Sequence, residues 1–278
     1  MNRSVRLPIL AASLVVMAVT FTGCNRLAAR DQLNKGVEAY KAGKYEAAIA
    51  HFQTSIQDDP TLPMAKNYLA TALSQNVVPG LDSPENLKTA NQAIEIYKQV
   101  LQQDPSDVNS IKGIASLYFN IKKLDDAKQW QEKVLAVDPK DPEAAYTVGV
   151  IDWTQAHENA LKILAPDGIN DDGLGNAKLP KKDCQKLQEE NAPLVEDGLK
   201  YLNMAIENRP DYDDAMAYMN LLYRRKADLE CGDEAGRKAD VASADDWRDK
   251  AMGTRKANEA KKNQGPGGIV MDSNGNMK

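Results

Sequence analysis

Hydrophobic and polar positions follow a helical period from the first well-patterned stretch onward. In residues 35–60, KGVEAYKAGKYEAAIAHFQTSIQDDP, Gly36 and Tyr40, then Tyr45, Ala48, Phe52 and Ile56, recur at three- and four-residue steps. That is the spacing of one face of an α-helix. The pattern predicts two amphipathic helices joined at Ala42-Gly43-Lys44. Small residues (Gly36, Ala48) stand where two helices must touch, and large ones fill the space beside them. Asp59-Pro60 closes the unit, because proline stops one helix while its fixed φ suits the start of the next.

The same punctuation recurs at Asp104-Pro105 and Asp138-Pro139, with Arg209-Pro210 in an equivalent place. The step from Pro105 to Pro139 is 34 residues, a period expected of helical solenoids. Composition agrees. Aromatic residues are 6% and charged residues 27% of the 278, which favours helices over a β-sandwich. The net charge is −5, and residues 1–23 hold two Arg and no acid, so the remainder is more acidic still. An acidic body argues against nucleic acid as a partner.

On these residues the chain resembles tetratricopeptide repeat proteins. Gly36, Tyr40, Gly43, Tyr45, Ala48, Phe52 and Pro60 fall on that family's positions in a first unit over 29–62, with Gln32 and Lys35 where the family more often has Trp and Leu. Ile114, Ala115, Tyr118, Leu124, Ala127, Leu135 and Pro139 do so in a third unit over 108–141. A second unit over 63–107 carries a short insertion between Asn76 and Lys88. A fourth over 142–212 carries a long one, about 154–190, with a Gly/Asp/Asn-rich loop from Pro166 to Pro180. A fifth, TPR-like unit covers 213–256, its second helix expected near Ser243–Lys256. Residues 257–278, with Gly-Pro-Gly-Gly, read as a disordered tail. The resemblance implies an all-α, right-handed superhelical solenoid of about five helix pairs.

The amino terminus has another character. Arg3 and Arg6 precede an apolar run from Leu7 to Phe21, shorter than the roughly 20 residues of a membrane span. With Gly23-Cys24 following, residues 1–23 resemble a bacterial lipoprotein signal peptide. The resemblance implies lipidation of Cys24, a linker over 24–28, and anchoring by several acyl chains. An ordinary cleaved signal and an uncleaved anchor are the alternatives. Asn25, where Asp would retain the protein at the inner membrane in the sorting pattern, implies an outer-membrane lipoprotein facing the periplasm.

That compartment is oxidising, and with Cys24 set aside one pair of cysteines remains. Cys184 precedes Pro210 by 26 residues and Cys231 follows it by 21. If both stretches are antiparallel helices, both cysteines reach the same far end. The five-residue mismatch, roughly 7 Å at 1.5 Å per residue, falls to a loop or kink near Asn191-Ala192-Pro193. A Cys184–Cys231 disulfide is the expectation and two unpaired thiols the alternative.

Catalytic and metal chemistry find little support. DGINDDGLGN (residues 167–176) resembles a calcium loop only in outline, since Gly168 and Leu179 occupy positions that need oxygen ligands. The expectation is a surface turn and no metal. His51 and His157 lack a neighbouring nucleophile or ligand, His51 reading as a surface residue and His157 as sharing a helix face with Trp153. The acidic pairs Asp125-Asp126 and Asp213-Asp214 suit helix starts. No cofactor and no catalytic residue is expected.

What remains is the groove that the family's first helices line. Carried over position by position, the resemblance implies a partner-binding groove with Tyr40, Asn67, Thr71, Lys112, Phe119, Asn120, Tyr146 and Trp153, and with Leu221, Arg224 and Arg225 from the fifth unit. For Tyr146 and Trp153, packing against the inserted segments or against the next repeat is the alternative. The expected function is a non-enzymatic, membrane-anchored scaffold for a protein or peptide partner in the bacterial cell envelope, in assembly of an envelope complex. A ligand-binding, metal-binding or enzymatic site in the 154–190 insertion and a self-assembling homo-oligomer are the alternatives.

Overall fold

The computed structural model describes residues 25–263. The signal segment 1–23, Cys24 and residues 264–278 of the expected tail lie outside the described residues. Ten α-helices follow one another as five consecutive pairs: α1 (residues 25–41), α2 (Tyr45–Asp58), α3 (Pro63–Gln75), α4 (Pro84–Leu101), α5 (Val108–Asn120), α6 (Leu124–Val137), α7 (Pro142–Leu164), α8 (Lys181–Asn208), α9 (Asp213–Ala227) and α10 (Glu234–Asn263). They divide into two compact units, one ending at Trp130 and the other beginning at Gln131.

In the first unit the α1–α2 turn has the geometry its sequence demands. Gly43 adopts φ +71°. The Gly43 and Lys44 amides donate to the Tyr40 and Ala39 carbonyls at 2.9 Å, a Schellman closure that needs a left-handed residue. Behind the turn, α1 and α2 meet at Gly36. A Cβ there would lie 2.6 Å from Phe52 Cδ1, so only glycine lets Phe52 bury completely. Phe52, Ile94, Ile114 and Leu117 form the centre of this unit's core. The residues in place of the family's usual Trp and Leu are used differently. Gln32 Oε1 lies 2.8 Å from His51 Nδ1, which makes His51 a half-buried partner across the pair rather than a plain surface residue.

The short insertion of the second repeat, within this first compact unit, is divided between a loop over 76–83 and an extra turn at the start of α4. Asn86 organises the loop from within. Its Oδ1 accepts from the Val78 amide at 2.8 Å, and its Nδ2 donates to the Val78 and Leu81 carbonyls at 3.0 and 2.8 Å. Ser83 caps α4 through the Asn86 amide.

The second compact unit holds the stretch 154–190. That stretch lengthens two helices: α7 runs unbroken to Leu164 over 23 residues, and α8 starts at Lys181 and runs for 28. Only a one-turn 3₁₀ segment, Ala165–Asp167, and residues 168–180 interrupt them. No loop forms near Pro193, because α8 continues through that proline. Pro193 and Glu189, whose carbonyl loses its usual donor, both lie exposed, where water satisfies the freed group. Asn191, on the buried side, donates to the Ala156 carbonyl at 2.8 Å and accepts from Asn159 at 3.1 Å.

The two hairpins of this unit are joined over a core of Leu202, Met219, Leu222, Val195 and Ala215. A smaller cluster of Ile163, Leu164, Leu187 and Ala160 lies at the far end of the α7–α8 hairpin. The last helix is longer than the pattern implies. It begins at Glu234 and includes residues 257–263 of the expected tail. Arg255 bonds Asp213 at 2.6 Å and Asp214 at 2.8 Å, so the acidic pair at the start of α9 holds α10 as well as favouring a helix N-terminus. Residues 25–28, expected as linker, are the first turn of α1.

Candidate functional site

The expected groove residues divide by unit. In the first, Tyr40 is half-buried in α1, with its ring centroid 5.4 Å from that of Tyr45. Burial raises its phenol pKa above the ordinary value, with the neighbouring Tyr45 adding to the effect. Asn67 and Thr71, one turn apart on α3, face a neighbouring helix rather than open solvent. Thr71 Oγ1 donates to the Asn67 carbonyl at 2.8 Å and lies 3.1 Å from the Tyr97 hydroxyl. Ser110 Oγ reaches Asn67 Oδ1 at 3.4 Å. Lys112 is exposed, and Phe119 and Asn120 are half-buried. The Asn120 carbonyl accepts from the Gly80 amide at 2.8 Å, which holds the loop between α3 and α4 against the end of α5.

In the second unit the aromatic residues converge. Tyr146 and Trp153 project from α7 two turns apart, and both meet Tyr218 of α9 edge-on. The ring centroids are 5.6 and 5.3 Å apart, with interplanar angles of 79° and 80°. Tyr146 also contacts Tyr212 at 4.9 Å. Trp153 stacks on His157 at 5.2 Å with the planes 6° apart. Edge-to-face pairs of this kind contribute about 0.5–1.5 kcal/mol each beyond area burial. Burial pushes the hydroxyls of Tyr146, Tyr212 and Tyr218 above the ordinary phenol range, and nearby carboxylates reinforce the shift. All three therefore remain neutral donors at physiological pH. Tyr146, Trp153 and Tyr218 are each partly buried, so the cluster is packed and still partly open to solvent.

Arg224 and Arg225 have a different role from the one the resemblance implied. Arg224 donates to the Gly173 carbonyl at 2.7 Å and to Asp245 at 3.0 Å. Arg225 is 3% exposed, donates to Asp171 at 2.7 Å, and lies 3.1 Å from the Asp228 carboxyl without hydrogen-bond geometry. Both clamp the 168–180 segment, so neither guanidinium is an open groove contact. Burial pushes the Asp171 carboxyl up, but the hydrogen bond and charge of Arg225 outweigh it and leave the group below its ordinary range. Asp228 goes the other way. Burial raises it to about 7, against the opposing pull of Arg225.

The acidic run is thereby accounted for. Asp171 belongs to Arg225, while Asp172 Oδ1 accepts from the Leu174 and Asn176 amides at 2.7 and 3.1 Å. These oxygens close turns, and among the described residues no group of three or more His, Cys, Asp or Glu is placed to hold a metal ion. Cys184 and Cys231 are joined as a disulfide with Cα atoms 5.7 Å apart. The bond ties the start of α8 to the α9–α10 turn.

Sequence reasoning missed Tyr218 and Asn86. Tyr218 carried a signal, since it lies one turn before Leu222 on the face that also holds Ala215. Asn86 carried none, because its role depends on the path of a loop.

Similarity to known proteins agrees with this architecture. Residues 87–149 match the tetratricopeptide repeat family. DnaJ homolog subfamily C member 3 of Gallus gallus is 30% identical over 96 residues, covering 32% of this chain and 17% of that protein. Sperm-associated antigen 1 of Mus musculus is 26% identical over 140 residues, covering 50% and 14%. The chain thus spans less than a fifth of the length of these curated relatives. A crystal structure of MamA protein superposes with a TM-score of 0.56 at 14% identity, over 87% of this chain and 98% of that one. MamA from Desulfovibrio magneticus RS-1 gives 0.54 at 16% identity, over 83% and 96%. Residues 87–149 are thus similar to the tetratricopeptide repeat family, and the chain shares an all-α fold of paired helices with the MamA structures.

Proposed function

We propose that this protein is a non-enzymatic scaffold that binds a protein or peptide partner, anchored through lipid on Cys24 at the outer membrane of a bacterial cell envelope and facing the periplasm. The observation that carries the binding half of this reading is the partly buried aromatic cluster of Tyr146, Trp153 and Tyr218. Rigid aromatic rings with neutral hydroxyl donors supply contact area at low conformational cost and satisfy a partner's backbone carbonyls. Exposed Lys112 and half-buried Tyr40 and Phe119 are the corresponding candidates in the first unit.

The anchoring half rests on the sequence before Asn25 and on the disulfide, which suits an oxidising compartment. Among the described residues no helix is long and apolar enough to cross a membrane.

Crosslinked pull-down of the full chain from intact cells tests the partner, with Tyr146→Ala and Trp153→Ala compared with the wild type. A crosslinked species lost in both variants supports the assignment, and one unchanged in both refutes it. Cys24→Ser tests the anchor separately. The variant should leave the membrane fraction, and unchanged fractionation without an acyl mass on the wild type refutes lipidation.

A further inference from the structure

The start of α8, the segment before it and the α9–α10 turn enclose a cavity of about 810 Å³, with both cysteines of the disulfide in its wall. The volume lies within the range of small-molecule sites. Charged side chains of both signs line it, with Lys181 and Arg237 set against Glu230, Asp233 and Glu234. Arg237 spends one N–H on the Leu174 carbonyl at 2.7 Å, which fixes its guanidinium at the rim.

The two sulfurs are not equivalent. Cys184 is 5% exposed, whereas Cys231 is only partly buried. Cys184 sits in the first turn of α8, and Cys231 lies in the turn before α10. In thiol–disulfide exchange the accessible sulfur is the one attacked. Exposure therefore selects Cys231.

We propose that this cavity binds a small thiol bearing both carboxylate and ammonium groups, and that Cys231 is the sulfur it modifies. Lys181 and Arg237 receive the carboxylates, and Glu230, Asp233 and Glu234 receive the ammonium. The bound thiolate attacks Cys231 Sγ. A bond forms between its sulfur and Cys231 as the Cys184–Cys231 bond breaks, and the electron pair leaves on Cys184 Sγ, which then takes a proton. Return attack by Cys184 restores the protein disulfide and expels the small thiol. A second small thiol attacking the mixed disulfide instead releases the small-molecule disulfide and leaves two protein thiols. The 168–180 segment stays clamped meanwhile by Arg224 and Arg225.

The test uses the full chain with reduced glutathione as probe, 2-mercaptoethanol as the uncharged comparator, and N-ethylmaleimide to trap the freed thiol. Peptide mass mapping separates Cys24 from the pair. Glutathione on Cys231 with maleimide on Cys184 is the expected adduct pattern. In Lys181→Glu and Arg237→Gln, the rate with glutathione relative to 2-mercaptoethanol should fall roughly threefold or more, a ratio that cancels general loosening of the fold. Adduct chiefly on Cys184, no adduct on either, or an unchanged rate ratio in both variants overturns the proposal.

Discussion

Removing the Cys184–Cys231 bond should cost the second unit a large part of its stability. The cysteines are separated by 47 residues. Closing a loop of about that length removes roughly 13–14 cal/mol/K from the unfolded chain in the chain-entropy treatment, about 4 kcal/mol at 25 °C. A domain has only about 5–15 kcal/mol to lose. The native end of the hairpin has few substitutes. Its apolar cluster is small, and the remaining ties are polar: Gln188 to the Leu229 carbonyl at 2.6 Å, Asn176 to Asp228 at 3.3 Å, and Arg225 to Asp171. The assay is urea denaturation followed by tryptophan fluorescence, with Trp153 and Trp247 reporting on this unit. With an m-value of about 2–3 kcal/mol/M, the double variant Cys184→Ala/Cys231→Ala should lower the midpoint by roughly 1.5–2 M. Wild type in a phosphine reductant should fall by a similar amount. A shift below about 0.5 M in both, with m unchanged, would refute the loop-closure argument.

Other perturbations are equally specific. Lys122 holds φ +59° where the first unit uses Gly43, with the same pair of closing amide bonds. Lys122→Gly should therefore stabilise by about 0.5–1 kcal/mol in a thermal melt, the left-handed penalty relieved less the added freedom of the unfolded chain. Gly149→Ala should destabilise by about 1–3 kcal/mol, since the new Cβ would meet Leu202 Cγ at 2.5 Å and the Gly198 carbonyl at 3.2 Å. Asp228 is held protonated up to about pH 7 in the fold. The native state thus binds the extra proton between the ordinary carboxylate range and pH 7, and this group's contribution to stability falls as pH rises through that window. The slope is at most about 1.4 kcal/mol per pH unit. Asp228→Asn should remove that slope in pH-dependent denaturation, and an unchanged slope would discount the buried carboxyl. Asp171 has the opposite sign. Its folded pKa is lowered, so its contribution is present above the ordinary carboxylate range and is lost as pH falls below it.

The sequence by itself determined the repeating part of this protein. Small residues at Gly36 and Ala48, large ones at Tyr45 and Phe52, and Asp-Pro pairs at fixed intervals are local signals. Each depends on contacts within one helix pair, so a helical period and a turn residue suffice to read them. The tertiary structure decided the rest. Residues 154–190 break from the repeat pattern, and the fold makes most of them extensions of α7 and α8. Helix continuation through Pro193 depends on what lies on each face, and a proline alone does not reveal that. Arg224 and Arg225 fall on positions suited to a groove, but Asp171 and the Gly173 carbonyl, more than fifty residues away in sequence, claim them. Asn67 and Thr71 are turned toward Ser110 and Tyr97 for the same reason. A polar side chain bonds whatever partner the fold brings within 3 Å, and only long-range packing decides which partner that is.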